Sequence, residues 1–356
     1  MSVHASNILE DQKEEQSHLV EVANAEKQLW ALINSKGPLH EDVQALYRKV
    51  RDGYEDIILN DHETVEFQDV EYSLWKLHYK HIDEFRKRIR QSSADENMRS
   101  GTPQDVASMQ NIIDNHMEGF KSFLSEAAQY YQNLITELRR CYELPEEPLL
   151  YRMDGGSVSV EPAKLLKYRY SCHRFYVCLG DLARYQELCK KLAIQNCDWS
   201  LAASYYLEAT MIWPDSGNPH NQLALLATYI GDDFLALYHC VRSLAVKEPF
   251  PDAWDNLKLL FETNSSSCLH LLSTEAAFDF LKPSERSSSW MKSNTRSGSL
   301  SKNKVEAAEY VCSGETDLWP LFVRMISFFF VRSSDASYVP VYHHCNLTAV
   351  LICNLI

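Results

Sequence analysis

Residues 199–254 read WSLAASYYLEATMIWPDSGNPHNQLALLATYIGDDFLALYHCVRSLAVKEPFPDAW, and the text repeats itself. Ala202, Tyr206 and Ala209 return 34 residues later as Ala236, Cys240 and Ser243, and Pro214 returns 35 later as Pro249. A small, a bulkier and a small residue at helical spacing, closed by a proline, predict paired antiparallel helices. The small residues let two helices approach closely, and the proline stops the second helix before the next pair begins. Upstream, Leu179-Gly180 has the form of such a unit's start, although the insertion Glu187–Trp199 spoils the spacing there. Downstream, Trp254 opens a third unit. Scaffolds of this kind bind partners more often than they transform them.

The chain has 356 residues, room for two or more domains or one extended helical array. A hydrophobic fraction of 45% is enough for a sizeable core. The net charge of −14 argues against broad, non-specific attraction to nucleic acid or anionic membrane, so any anion site is a local basic pocket in an acidic body. Ten cysteines occur without a CxxC and without regular pairing to histidine. Reduced, mostly buried thiols are expected, with neither zinc nor disulfides. The N-terminal text MSVHASNILEDQKEEQ lacks the apolar core of a signal peptide. The longest apolar run, Trp319–Val331, is interrupted by Arg324 and is too short to span a bilayer, so no membrane contact is expected.

Helical periodicity starts at Leu19 and continues through Val22, Leu29, Leu32 and Ile33 to the Lys36-Gly37-Pro38 breaker; residues 1–16 are expected to fray. Leu39 to Ile58 makes a second helix and Val70 to about Gln91 a third. A polar gap, Ser92–Pro103, precedes one long helix over 104–141. Glu143–Pro162, with three prolines and a Gly-Gly, reads as a long loop, after which helices run on to about Leu281. No window alternates convincingly as a strand, and the predicted fold is all-α.

Two motifs stand out. YKHIDEFRKR in the third helix sets Lys80 seven residues before Lys87, within about 20° of two full turns, so both amines share a face. With Glu84 between them, such lysines are commonly a solvated face with i,i+4 pairing. GDLARY, before the repeats, sets Arg184 beside Tyr185, a pair that says little by itself. There is no phosphate-cradling glycine loop, no GxSxG, no HExxH and no kinase signature, so an enzyme is not expected and no cofactor is implied. His343-His344 beside Cys345 lacks further ligands at regular spacing, which leaves the metal count at none.

Together these motifs resemble 14-3-3 proteins, in which a YK…RR stretch and a GDxxRY stretch two helices later supply a basic pocket for phosphoserine. Here lysine replaces the second arginine at position 87. Asn221 lies in about the right helix for the asparagine that holds the peptide backbone there, but it is not assigned that role. The 34-residue unit is similar to the tetratricopeptide repeat. The succession LGDLARY, NQLALLATYIGDDFLALYHCVRSLAVKEPFPDAWDNL and ETDLWPLFVRMISFFF resembles the EST-one/SMG family, nearest its SMG-seven branch and of plant type, over about residues 17–332. That resemblance implies a 14-3-3-like bundle continuing into tetratricopeptide-like hairpins. It also implies a non-enzymatic adaptor of nonsense-mediated mRNA decay that binds the phosphorylated Upf RNA helicase. Lys80 and Arg184 would contact the phosphate, with Lys87, Arg86 and Tyr185 in support. A phosphoserine carries up to two charges and three acceptor oxygens, which suit a guanidinium fork, an ammonium and a tyrosine hydroxyl. Other SMG-type adaptors, mRNA decay factors, and indirect association with mRNA or the telomerase ribonucleoprotein are further implied partners. The implied location is cytoplasmic, including mRNA-decay granules, with nuclear shuttling.

On this reading the chain divides into a flexible 1–16, a 14-3-3-like domain at 17–215 and helical hairpins at 216–282, whose repeat signature begins near 179. A Ser-rich disordered loop follows at 283–304, then a packing helix at 305–331 and a divergent tail at 332–356. The family resemblance stops at Arg332, which suggests a C-terminally truncated or alternatively spliced product. Two other readings stay open: a helical scaffold in a telomerase or other ribonucleoprotein, and a truncated isoform whose pocket does not function.

Overall fold

The computed structural model describes residues 2–59, 70–98, 103–142, 162–190, 197–266, 322–323 and 326–327. The described residues hold α1 (Ser2–Lys36), α2 (Glu41–Leu59), α3 (Val70–Met98), α4 (Pro103–Cys141) and α5 (Pro162–Leu188). These are followed by α6 (Ser200–Ile212), α7 (Asn218–Ile230), α8 (Asp233–Ala245) and α9 (Ala253–Ser266). Each helix packs chiefly on its neighbours in the chain. The architecture expected from the sequence, an all-α bundle running on into helical hairpins, is the one observed. No described helix is long and apolar enough to cross a membrane.

Two boundaries differ from the sequence reading. Helix α1 begins at Ser2, so helix covers the polar stretch expected to fray. No glycine or proline interrupts residues 2–35, and Glu, Gln, Lys and Ala in that stretch are good helix formers. Helix α3 runs on to Met98 rather than ending near Gln91, with Ser93 Oγ donating back to the Ile89 carbonyl at 2.9 Å. Pro103 takes the first position of α4. At Lys36-Gly37-Pro38 the break falls where expected: Gly37 adopts φ +89° and its N–H reaches the Ile33 carbonyl at 2.9 Å.

The main core fills the space among α1 to α5, with Leu29, Val50, Leu74, Leu124, Tyr131 and Phe175 essentially inaccessible to solvent. A second cluster joins α5, α6 and α7 through Val177, Ala202, Tyr206, Ala209 and Leu223. A third joins α7, α8 and α9 through Ala224, Ala236, Cys240 and Leu257. All six positions of the repeat are buried: Ala202, Tyr206 and Ala209 on α6, and Ala236, Cys240 and Ser243 on α8. The turns repeat as well. The Gly217 N–H donates to the Glu248 carbonyl at 2.9 Å, and the Glu248 N–H to the Asp215 carbonyl at 2.8 Å. Ser243 Oγ closes the same joint on the Gly217 carbonyl at 2.7 Å.

The loop 143–161, the Ser-rich segment 283–304, the tail 332–356 and the His343-His344 pair lie outside the described residues. Of the helix expected over 305–331, Phe322, Val323, Ile326 and Ser327 are described and helical, and Val323 and Ile326 are buried in the α7–α9 cluster.

Candidate phosphate-binding face of α3 and α5

Helix α5 is buried along most of its length, and Gly180 makes its contact with α6 possible. A Cβ there would lie 2.3 Å from the Tyr206 ring. At the next residue, Asp181 Oδ1 accepts from Arg184 Nη2 at 2.8 Å and from the Tyr206 hydroxyl at 2.7 Å. Arg184 Nε completes the ring of contacts at 3.4 Å from the Tyr206 oxygen. Burial works against the Arg184 charge, but Asp181 and the tyrosines beside it override that and raise its proton affinity, so the guanidinium is permanently cationic. Its carbon sits 4.8 Å from the centre of the Tyr185 ring.

The same ring receives Arg86 of α3, at 5.4 Å. Two guanidinium groups from helices far apart in sequence therefore meet on Tyr185. Burial raises the proton affinity of the Tyr185 hydroxyl, partly offset by Arg184, so the hydroxyl stays a donor at neutral pH.

The two lysines of the i,i+7 pair are placed differently. Lys80 Nζ lies 4.0 Å from the centre of the Trp30 ring on α1. Partial burial and the neighbouring Lys76 push its ammonium pKa down, with Glu26 opposing. Lys87 is half-exposed and stands 3.5 Å from Glu84 Oε2, while Glu84 pairs more closely with Arg88 at 2.7 Å. Arg88 in turn donates to the Ile33 carbonyl at the end of α1. The structure thus gathers Arg86, Arg184 and Tyr185 at one point, holds Lys80 on Trp30, and leaves Lys87 beside a carboxylate. Asn221 is buried and accepts from Asn256 Nδ2 at 2.8 Å, so its amide is already engaged between two repeats.

Three participants escaped the sequence reading. Asp181 was legible within GDLARY as the acid three residues before the arginine, and Tyr206 as the bulky residue of the repeat. Trp30 carries no local signal, because only the packing of α1 on the bundle brings it under Lys80. Among the described residues no group of three or more His, Cys, Asp or Glu side chains could hold a metal ion.

A fold of helical hairpins bearing a guanidinium cluster is the frame in which the comparisons with known proteins fall. The family model for telomerase activating protein Est1 matches residues 69–190, and that for the Est1 DNA/RNA binding domain matches residues 202–345. The chain belongs to the Est1 family, on its SMG7-like side. It is 51% identical over 324 residues to a nonsense-mediated mRNA decay factor SMG7-like protein of Arabidopsis thaliana, covering 91% of this chain and 32% of that protein. With the nonsense-mediated mRNA decay factor SMG7 of the same plant it shares 38% identity over 226 residues, covering 62% of this chain and 21% of that one. The chain therefore spans about a third or less of the length of these curated relatives. A solved structure of the C. elegans SMG5–SMG7 complex aligns at 19% identity with a TM-score of 0.43, over 69% of this chain and 54% of that one.

Proposed function

We propose that this chain is a non-enzymatic adaptor of nonsense-mediated mRNA decay that receives a phosphoserine of the phosphorylated Upf helicase on the α3–α5 face. The observation that carries the reading is the convergence of Arg86 and Arg184 on the Tyr185 ring, with Arg184 aimed by Asp181 and Tyr206. Two guanidinium groups in one place repel each other, and a dianionic phosphate relieves that repulsion while offering three acceptors. Lys80, on Trp30, and Lys87 add positive charge from the same helix as Arg86. The plant relatives are nonsense-mediated decay factors by name, which supports the pathway. Other SMG-type adaptors as partners, and a cytoplasmic location with passage through the nucleus, belong to the same reading.

The family model named for DNA/RNA binding favours a second reading, a scaffold in a telomerase or other ribonucleoprotein. Charge weighs against direct nucleic-acid contact by the described hairpins. Residues 197–266 carry nine carboxylates against three lysine or arginine side chains.

The test is a titration of a phosphoserine peptide from the Upf helicase tail, with its unphosphorylated twin, against wild type, Lys80→Ala, Arg86→Ala and Arg184→Glu. Binding that needs the phosphate and weakens at least ten-fold in each variant is expected. Arg86→Ala and Lys80→Ala alter partly exposed side chains, so they report on binding where Arg184→Glu disturbs the fold. Equal affinity for both peptides would overturn the phosphate site. A steeply salt-dependent affinity for RNA would favour the scaffold.

A further inference from the structure

Helix α3 carries an exposed aromatic stripe that leads to the phosphate face. Tyr72 and Tyr79 are 53% and 43% exposed, and Trp75 lies half-buried between them. The Trp75 ring is 6.4 Å from Tyr79 and also 6.4 Å from the buried Tyr131, which ties the stripe to the core. Ser171 Oγ donates to Glu71 Oε1 at 2.8 Å at the start of the stripe, so α5 runs beside α3 over this length.

Tyr72, Tyr79 and Arg86 follow one another at intervals of seven residues. Each interval falls within about 20° of two full turns, so the stripe ends on the guanidinium of Arg86. That group covers the Tyr185 ring, which Arg184 shares. Burial is the main cause of the raised proton affinity of Tyr185, and the nearby Tyr79 phenol adds to it. The aromatic stripe and the guanidinium cluster are therefore one continuous surface.

Charge and spacing decide what this surface fits. Between Tyr72 and Arg90 the exposed residues of α3 include Lys76, Lys87 and Arg90 against a single acid, Asp83, so a basic segment is repelled. Neither the Tyr72 nor the Tyr79 hydroxyl has a hydrogen-bond partner among the described residues, and both can donate outward. Seven residues of helix rise about 10.5 Å, close to the roughly 9.3 Å spanned by three residues of polyproline II. That conformation makes no internal hydrogen bonds, so its carbonyls need donors, and its prolines have no N–H to satisfy. Exposed rings one such repeat apart, each with a free phenol donor, meet both requirements.

We infer that the stripe receives a proline-containing flank of the same segment whose phosphoserine sits on Arg86 and Arg184. At about 3.1 Å per residue, the third residue from the phosphoserine lies on Tyr79 and the sixth on Tyr72. This rests on the phosphate site proposed above and adds to it a preference for the sequence around the phosphoserine.

The experiment titrates the full chain, by calorimetry, with phosphoserine peptides that differ only in their flanks. One has glycine and serine throughout; two others carry prolines at the third and sixth positions, before or after the phosphoserine. Comparing the glycine-flanked peptide with its unphosphorylated twin tests the phosphate site alone. Comparing proline with glycine flanks tests the stripe. Prolines on one side should tighten binding about ten-fold, as two aromatic contacts would, and that side reads the direction of the bound chain. Tyr72→Ala and Tyr79→Ala, both at exposed positions, should each remove most of the gain, and thermal unfolding shows that they are folded. Phosphate-dependent binding without a gain from either proline peptide would overturn the stripe and leave the phosphate site standing; so would a gain that survives both substitutions. Equal binding of the glycine-flanked twins would overturn the phosphate site, and the stripe's role with it. If the chain sediments as a dimer that Tyr72→Ala dissolves, the occupant is a second copy and the assignment fails.

Discussion

The Tyr206 hydroxyl donates to Asp181 at 2.7 Å although 25 residues separate them, and the oxygen it reaches is the one that holds Arg184. Tyr206 is at once the bulky residue of the first repeat and a strut of the candidate phosphate site. Tyr206→Phe keeps the buried ring and removes this bond. A loss of about 1 kcal/mol in urea unfolding is expected, with a few-fold weaker phosphopeptide affinity. A variant equal to wild type in both would show that the hydroxyl has no part in aiming Arg184.

Arg86 and Arg184 share a ring but not a role, and substitutions should separate them. Arg184→Lys keeps the charge yet loses the planar fork between Asp181 and Tyr206, so both stability and phosphopeptide affinity should fall. Arg86→Ala should lower affinity alone, with an unfolding free energy within about 0.5 kcal/mol of wild type. Calorimetry for binding and urea titration for stability check the pair. Identical behaviour of the two variants would contradict the division.

Three glycines predict three outcomes. A Cβ at Gly217 would sit 2.3 Å from the Ser243 carbonyl oxygen and 2.7 Å from the Phe250 nitrogen, both backbone atoms. Gly217→Ala should therefore cost several kcal/mol, because neither atom can swing aside. At Gly180 the obstacle is the buried Tyr206 ring, and Gly180→Ala should be nearly as damaging. Gly231 meets nothing, but its φ of +74° caps α7, so Gly231→Ala should cost only about 1 kcal/mol. Thermal unfolding ranks them, and a reversed order of Gly217 and Gly231 would contradict the joint described between the turns.

Acid should destabilise the fold before carboxylates protonate. Burial holds His81, His173, His220 and His239 down to about 4 and His78 to about 3, and Arg242 also lowers His220 and His239. Unfolded histidine titrates near 6.5, so the unfolded chain binds more protons as pH drops. The stabilisation is fully present above about 6.5 and is lost progressively down to about 4, at up to roughly 1.4 kcal/mol per pH unit for each such ring. His220 and His239 face each other with Nδ1 atoms 3.1 Å apart, so His239→Asn should flatten the slope. Urea midpoints at pH 7.5, 6 and 5 measure it. A flat profile over that range would mean these rings are hydrated in solution.

The repeat was legible because its positions are fixed by local period, and every one of Ala202, Tyr206, Ala209, Ala236, Cys240 and Ser243 is buried. The extent of α1 and α3 was less so, since a run of polar residues offers no hydrophobic period to read. At the site, spacing along α3 put Lys80 and Lys87 on one face, but spacing cannot say what that face meets. Arg86, one position away from Lys87, is the α3 residue that reaches Tyr185. Lys80 meets Trp30, 50 residues away in the sequence. Such meetings depend on how whole helices pack, and no short window of sequence holds that information.

The main-chain bonds between the turns at Asp215–Gly217 and at Glu248 rivet one hairpin to the next. Apart from the Ser243 hydroxyl and the space that Gly217 leaves, the rivet is backbone, so most side chains around it do not aim the hairpins. The pitch between the α5–α6 and α7–α8 pairs is then set before any partner arrives. A protein gripping both hairpins meets a stiff ruler, and its own spacing has to match.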